Sequence, residues 1–146
     1  MKKRMVSVLM MMVLALALAV PAFAGDQNYQ FAKADGTTSH ASGSIEGPAV
    51  VTGSAGNYTV TIKLKNSGSY GGITLPASYG FLNADLNGAP GGDGTYEVTA
   101  TKTVSGGYTY FTFSGLADST FNVPVQLQTT VAGIHSSTYS LTIDWL

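Results

Sequence analysis

The chain contains no cysteine. Disulfide staples are therefore excluded, and a packed core must hold the fold. Thiol nucleophiles and thiolate-bound metals are excluded with them. Charge is scarce as well: only 10% of the 146 residues are Asp, Glu, Lys or Arg. Three of the seven basic residues, Lys2, Lys3 and Arg4, crowd the start of the chain. Past that start only Lys33, Lys63, Lys65 and Lys102 remain against eight acids, a formal charge near −4. Of these four only Lys63 and Lys65 are close together, so the basic footprint of a nucleic-acid binder is missing. Histidine is limited to His40 and His135, and tryptophan to Trp145. No stretch after residue 24 shows helical periodicity over three turns, which points away from a helical fold.

What is present begins with an address. Met5 to Val20 is uncharged and almost wholly apolar, and Pro21-Ala22-Phe23-Ala24 follows with a small-x-small pattern. A basic start, a short apolar run and small residues at the cut define an export signal over residues 1–24, cleaved before Gly25. The run is short for a membrane span. No cysteine follows it to carry a lipid, and no second long apolar stretch is found, so no span is expected after cleavage. Residues 25–146 are then one domain of ordinary size.

Within that domain the apolar residues alternate. Tyr58, Val60, Ile62 and Leu64 fall on one face of Asn57 to Lys65, with Thr59, Thr61, Lys63 and Lys65 on the other. That is the period of a half-buried strand. Phe121, Val123, Val125 and Leu127 repeat the pattern, and Pro124 among them suggests a place near a sheet edge. Tyr139, Leu141, Ile143 and Trp145 share a face of the last strand, which also carries His135. Tyr29 to Ala34 and Pro48 to Val51 read as further strands, Ile73 to Leu75 and Phe81 to Leu86 as weaker ones. Tyr96 to Val104 and Tyr108 to Phe113 flank Ser105-Gly106-Gly107, a hairpin turn. Asn66 to Gly72 and Asn87 to Gly94 read as loops. Seven to eight short strands predict an all-β, immunoglobulin-like β-sandwich.

Catalytic motifs are missing. Neither Gly53-Ser54-Ala55-Gly56 nor Gly68-Ser69-Tyr70-Gly71 has the spacing of a nucleophile elbow. Gly91-Gly92-Asp93-Gly94 opens no helix and lacks the Lys-Ser/Thr of a phosphate loop. Asp85, Asn87 and Asp93 lack the alternation of a calcium-binding loop. The protein is therefore not expected to be an enzyme.

Longer-range order is more informative. Ser39-His40-Ala41-Ser42-Gly43-Ser44-Ile45-Glu46-Gly47-Pro48-Ala49 precedes Asn57-Tyr58-Thr59-Val60-Thr61-Ile62 at a short interval. Thr109-Tyr110-Phe111-Thr112-Phe113-Ser114-Gly115-Leu116 follows, and the final hairpin carries His135-x-x-x-Tyr139. This series resembles the NEAT (near-iron-transporter) domain, a haem-acquisition module of Gram-positive surface and secreted proteins, over nearly all of residues 25–146. The resemblance implies a short helical turn in the first loop. It also implies a haem site: Ser39 holding a propionate, His40 over the distal face, Ile45 as pocket wall and Tyr139 supporting the iron ligand by hydrogen bond. The family's final hairpin carries Tyr-x-x-x-Tyr, and here His135 stands at the first tyrosine. Imidazole is a common axial ligand of haem iron, so His135 becomes the expected proximal ligand and His40 a second.

The function implied is a secreted or cell-wall-associated haem carrier of Gram-positive type. Its partners would be haem and another haem-carrying surface protein or receptor. The alternative is a NEAT-like sandwich that has lost haem and serves as a cell-surface protein-binding module. Thr37 to Ser44 has none of the aromatics that haemoglobin-binding relatives carry there, which argues against haemoglobin as that partner.

Overall fold

Residues 25–87 and 91–146 are described by the computed structural model of the chain; the export signal expected over residues 1–24 lies outside them. The strands run β1 (Gly25–Gln27), β2 (Tyr29–Ala32), β3 (Ala49–Ser54), β4 (Asn57–Lys65), β5 (Ser67–Tyr70), β6 (Ile73–Ala84), β7 (Val98–Thr99), β8 (Thr101–Ser105), β9 (Tyr108–Leu116), β10 (Val123–Val131) and β11 (His135–Trp145). A 3-10 helix over His40–Ser44 interrupts them between β2 and β3. One sheet has the order β1-β3-β4-β9-β8 and the other β2-β11-β10-β6-β5, with β7 added on β6. This is the all-β, immunoglobulin-like sandwich that the alternation predicts, with the short helical turn in its first loop.

The alternating residues do what their period demands. Tyr58, Val60, Ile62 and Leu64 turn inward from β4 and meet Phe111 and Phe113 of β9, where Ile62 pairs with Phe111 and Val60 with Phe113. From the other sheet come Phe31, Leu82, Val123, Val125, Leu127, Leu141 and Ile143, all buried. Each such side chain contributes about 1.5–3 kcal/mol on leaving water. Trp145 closes one end, stacking edge-on against Tyr29 at 6.3 Å and donating its indole N–H to the Phe121 carbonyl at 2.7 Å.

The strands exceed the expected seven or eight for two reasons. At Asn28 and again at Ala100 the extended chain crosses from one sheet to the other, so one run becomes two strands. The stretch Asn66 to Gly72, expected as loop, contains β5, which pairs with the start of β6 around Gly71-Gly72. Both glycines have positive φ, 61° and 84°, as a two-residue hairpin turn requires.

The two weak candidates Ile73 to Leu75 and Phe81 to Leu86 fall in one twelve-residue strand, β6. A bulge hides its period: Leu82 faces Leu127 and Tyr79 faces Thr129, so Gly80 and Phe81 together oppose Gln128. Tyr79 and Leu82, three apart, thereby both reach the core. A Cβ at Gly80 would collide with the Gln128 side chain.

Pro124 corrects an expectation. Its strand β10 is central, between β11 and β6, not near an edge. The proline is tolerated because it sits at the second residue of β10, before pairing with β6 begins at Val125 and Ala84. No ladder donor is lost there, and its carbonyl still accepts from Asp85 N at 2.9 Å.

Candidate functional site

The site arises where β2 stops. β2 covers β11 only from Thr142 to Trp145. After Ala32 the chain turns at Lys33 to Gly36 and returns through a single bridge between Ala32 and Thr38. Among the described residues no strand pairs with the exposed edge of β11 from His135 to Leu141. The 3-10 helix, packed against β2 and β5, lines one cavity together with that part of β11.

Serines fasten the helix. Ser39 caps it, its hydroxyl accepting from Ala41 N at 3.2 Å, and its own N–H donates to the Phe31 carbonyl at 2.7 Å. Ser42 Oγ accepts from Phe31 N at 2.8 Å, and Ser44 Oγ donates to the Ser67 carbonyl at 2.9 Å. The helix is thus tied to β2 on one side and to β5 on the other. Serine suits both tasks because its short hydroxyl bonds backbone groups locally.

Between helix and hairpin is a cavity of about 680 Å³, within the range of small-molecule and cofactor pockets. Ser39, His40 and Ala41 contribute from the helix, with Lys33 ahead of it. Thr129 and Val131 contribute from β10, and His135, Tyr139, Ser140 and Leu141 from β11. Tyr70 reaches in from β5. Both histidines are solvent-exposed and Tyr139 is 42% exposed, so the cavity opens to water on their side.

Four of the five residues singled out in the sequence, Ser39, His40, His135 and Tyr139, therefore come together in one cavity. Ile45 does not line it. It follows the helix in extended conformation, bridges Leu64 of β4 and packs against the core. An apolar residue at that point is drawn into the sandwich because greater burial is available there.

Tyr70 is the residue that sequence reasoning missed. It stands in a Gly- and Ser-rich stretch that reads as loop, yet Tyr-Gly-Gly-Ile is a hairpin signal. Its ring folds back over Gly68, where an added Cβ would lie 2.8 Å from the ring. Burial and the nearby Tyr139 phenol push the Tyr70 phenol above the usual tyrosine range. Tyr79 behind it is pushed up to about 12 by burial, against a lowering hydrogen bond with Ser44. Tyr70 and Tyr79 thus stay neutral at physiological pH, and among the described residues Lys33 is the one lysine lining the cavity.

The acidic loop has a structural task. Asp85, Asp93 and Glu97 lie close enough to share a cation. Asp85 is buried and accepts from Asp93 N and Gly94 N at 3.2 and 2.8 Å, and Glu97 accepts from Leu86 N and Asn87 N at 2.7 and 2.9 Å. The carboxylates of Asp85 and Glu97 knit the backbone of the loop.

The architecture is an immunoglobulin-like sandwich with a helix-roofed cavity at one sheet edge. No family model and no curated protein matches the chain. Among solved structures it is similar to the NEAT5 domain of IsdX2, a B. anthracis hemophore, in complex with heme. That likeness has a TM-score of 0.61 at 14% sequence identity and covers 83% of this chain and 92% of the other. A mutant of the same NEAT5 domain, also in complex with heme, gives the same values. The fold is that of the NEAT domain.

Proposed function

We propose that the protein is a secreted haem-binding protein that captures haem and passes it on, with His135 as the iron ligand. The observation that carries this reading is the meeting of both histidines of the chain, with Tyr139 and Ser39, in one cavity. The fold shared with heme-bound NEAT5 supports it.

The residues present fit the group. Ala41, Val131 and Leu141 offer apolar wall to a macrocycle, and burying that area supplies most of the affinity. Tyr70 adds an aromatic ring to the same wall. Lys33 and Ser39 would meet the carboxylates, the lysine by charge and the serine by hydrogen bond. His135 and His40 come from the two elements that bound the cavity, and their imidazoles would hold the iron. Bound haem supplies a Lewis-acidic iron, and two imidazoles would keep oxygen from it. Carriage, rather than catalysis, follows from that arrangement. The receiving partner would be another haem-carrying surface protein or receptor of a Gram-positive cell.

Titration of the purified protein with hemin tests this. The expected result is a sharp Soret band of histidine-ligated, low-spin type at one equivalent. His135→Ala should abolish or sharply weaken the band, and His40→Ala should leave a five-coordinate spectrum. Absence of any hemin-dependent band ends the haem reading. A protein-binding role would then stand in its place, for which Ile134, 90% exposed, and Ile73, 63% exposed, on hairpin tips are the supporting surface.

A further inference from the structure

One buried hydroxyl at the cavity has nothing to bond. Thr129 lines the cavity and is 5% exposed, and its Oγ1 has no hydrogen-bond partner among the described residues. A buried polar group left unpaired costs stability, and one kept in a native protein calls for an explanation.

The strand register says what it faces. Across β10 and β11, Val131 pairs with His135, Thr129 with Ser137 and Leu127 with Tyr139. Alternate residues share a face, so Thr129 sits on the same side of the sheet as His135, Ser137 and Tyr139. It is the diagonal neighbour of both His135 and Tyr139, midway between them. On its other flank is Tyr79, whose hydroxyl already donates to the Lys65 carbonyl at 3.2 Å.

Distance then separates Thr129 from Tyr139 as a partner for His135. Residues four apart on one strand are roughly 13 Å apart at their Cα atoms. Two side chains can close such a gap only by leaning toward each other along the strand, and an imidazole, shorter than a phenol, is the less able to do so. Diagonal neighbours on adjacent strands are only about 7–8 Å apart. A histidine at position 135 and the unbonded hydroxyl at 129 are thus complementary.

Resting on the haem-binding reading above, we propose that Thr129 is the positioning residue for His135: its hydroxyl accepts the N–H of whichever ring nitrogen does not bind iron. This bond fixes the tautomer and ring orientation of the ligand and raises its basicity. Tyr139 is left as cavity wall beside Tyr70.

Thr129→Val, Thr129→Ala and Thr129→Ser test the assignment, with two measurements on each. The first is thermal melting of the ligand-free protein. Thr129→Val removes an unbonded hydroxyl at nearly constant shape, so its melting temperature should equal or exceed the parent's. The second is titration with hemin and, separately, with metal-free protoporphyrin. Thr129→Val and Thr129→Ala should weaken hemin by about 10–100-fold and move the Soret band. Thr129→Ser should restore both, and metal-free protoporphyrin should bind all of them as it binds the parent. Unchanged hemin affinity and band position in both Val and Ala variants would overturn the assignment while leaving the haem reading intact. Equal loss of hemin and metal-free porphyrin would overturn it too, as general damage to the cavity. A parent protein without a hemin band removes the haem reading, and this one with it.

Discussion

Substituting Gly68 by alanine should strain the cavity wall through one identifiable contact. Gly68 is buried in β5 with ordinary extended backbone, so glycine is needed there for room and not for conformation. An added Cβ would stand 2.8 Å from Tyr70 Cε2, 3.1 Å from Tyr70 Cζ and 3.0 Å from Ser44 Oγ. Carbon atoms rest at about 3.5–4.0 Å, so the ring must retreat by roughly 0.7–1 Å. Ser44 has little freedom to help, being fully buried and bonded to the Ser67 carbonyl. Overpacking costs about 1–3 kcal/mol, and the lower chain entropy of alanine in the unfolded state returns about 0.4–1 kcal/mol. The net loss is about 1 kcal/mol, or about 3–5 °C in melting temperature. Urea denaturation of Gly68→Ala, Tyr70→Ala and the double variant measures it as a cycle. With the ring gone, alanine at 68 should be neutral or stabilising, giving a coupling of about 1 kcal/mol between the sites. Strictly additive effects would refute the claim that Gly68 seats the Tyr70 ring.

Two more predictions follow from the core. Burial pushes the Tyr79 phenol up to about 12, and burial with the neighbouring Tyr79 pushes Tyr29 higher still. In the unfolded chain both ionise near pH 10, so their contribution is intact below that and is lost as pH rises toward 12, by at most about 1.4 kcal/mol per pH unit per group. Urea midpoints should therefore fall steeply from about pH 10 to 11, and less steeply in Tyr79→Phe; a flat profile there contradicts the burial argument. Ile143 is fully buried between Phe31 of β2 and Val123 of β10. Ile143→Ala should cost about 2–5 kcal/mol by chemical denaturation, and a loss under about 1 kcal/mol would mean the two strands repack freely.

Periodicity was legible wherever one face of a strand is buried and the other wet. β4, β10 and the end of β11 read directly as alternating residues, and the glycine pair after Ser105 marks the hairpin that leads into β9. The reading failed where alternation was broken or brief. In β6 the bulge at Gly80 and Phe81 shifts the period by one residue, so a single long strand reads as two weak pieces. Pro124 reads as an edge signal because a proline's missing N–H usually faces solvent, but here it falls where the partner strand has ended. β5 was lost because four residues of Ser, Gly and Tyr carry no periodic signal, although the following glycine pair marked a turn.

The same division applies to the site. Two histidines and the Tyr139 strand pattern are one-dimensional facts, and with so few histidines the sequence alone named His40 and His135 as candidate ligands. It also determined the all-β class, since alternation is a local consequence of strand geometry. Only the tertiary structure decided that Ser39, His40, His135 and Tyr139 share one cavity while Ile45 turns into the core. Only pairing across β10 and β11 sets Thr129 between His135 and Tyr139, with its hydroxyl unbonded. Tyr70 joins them because Gly68 leaves room for its ring. Those neighbours are remote in the chain, and the backbone hydrogen bonds and burial that bring them together belong to no single segment.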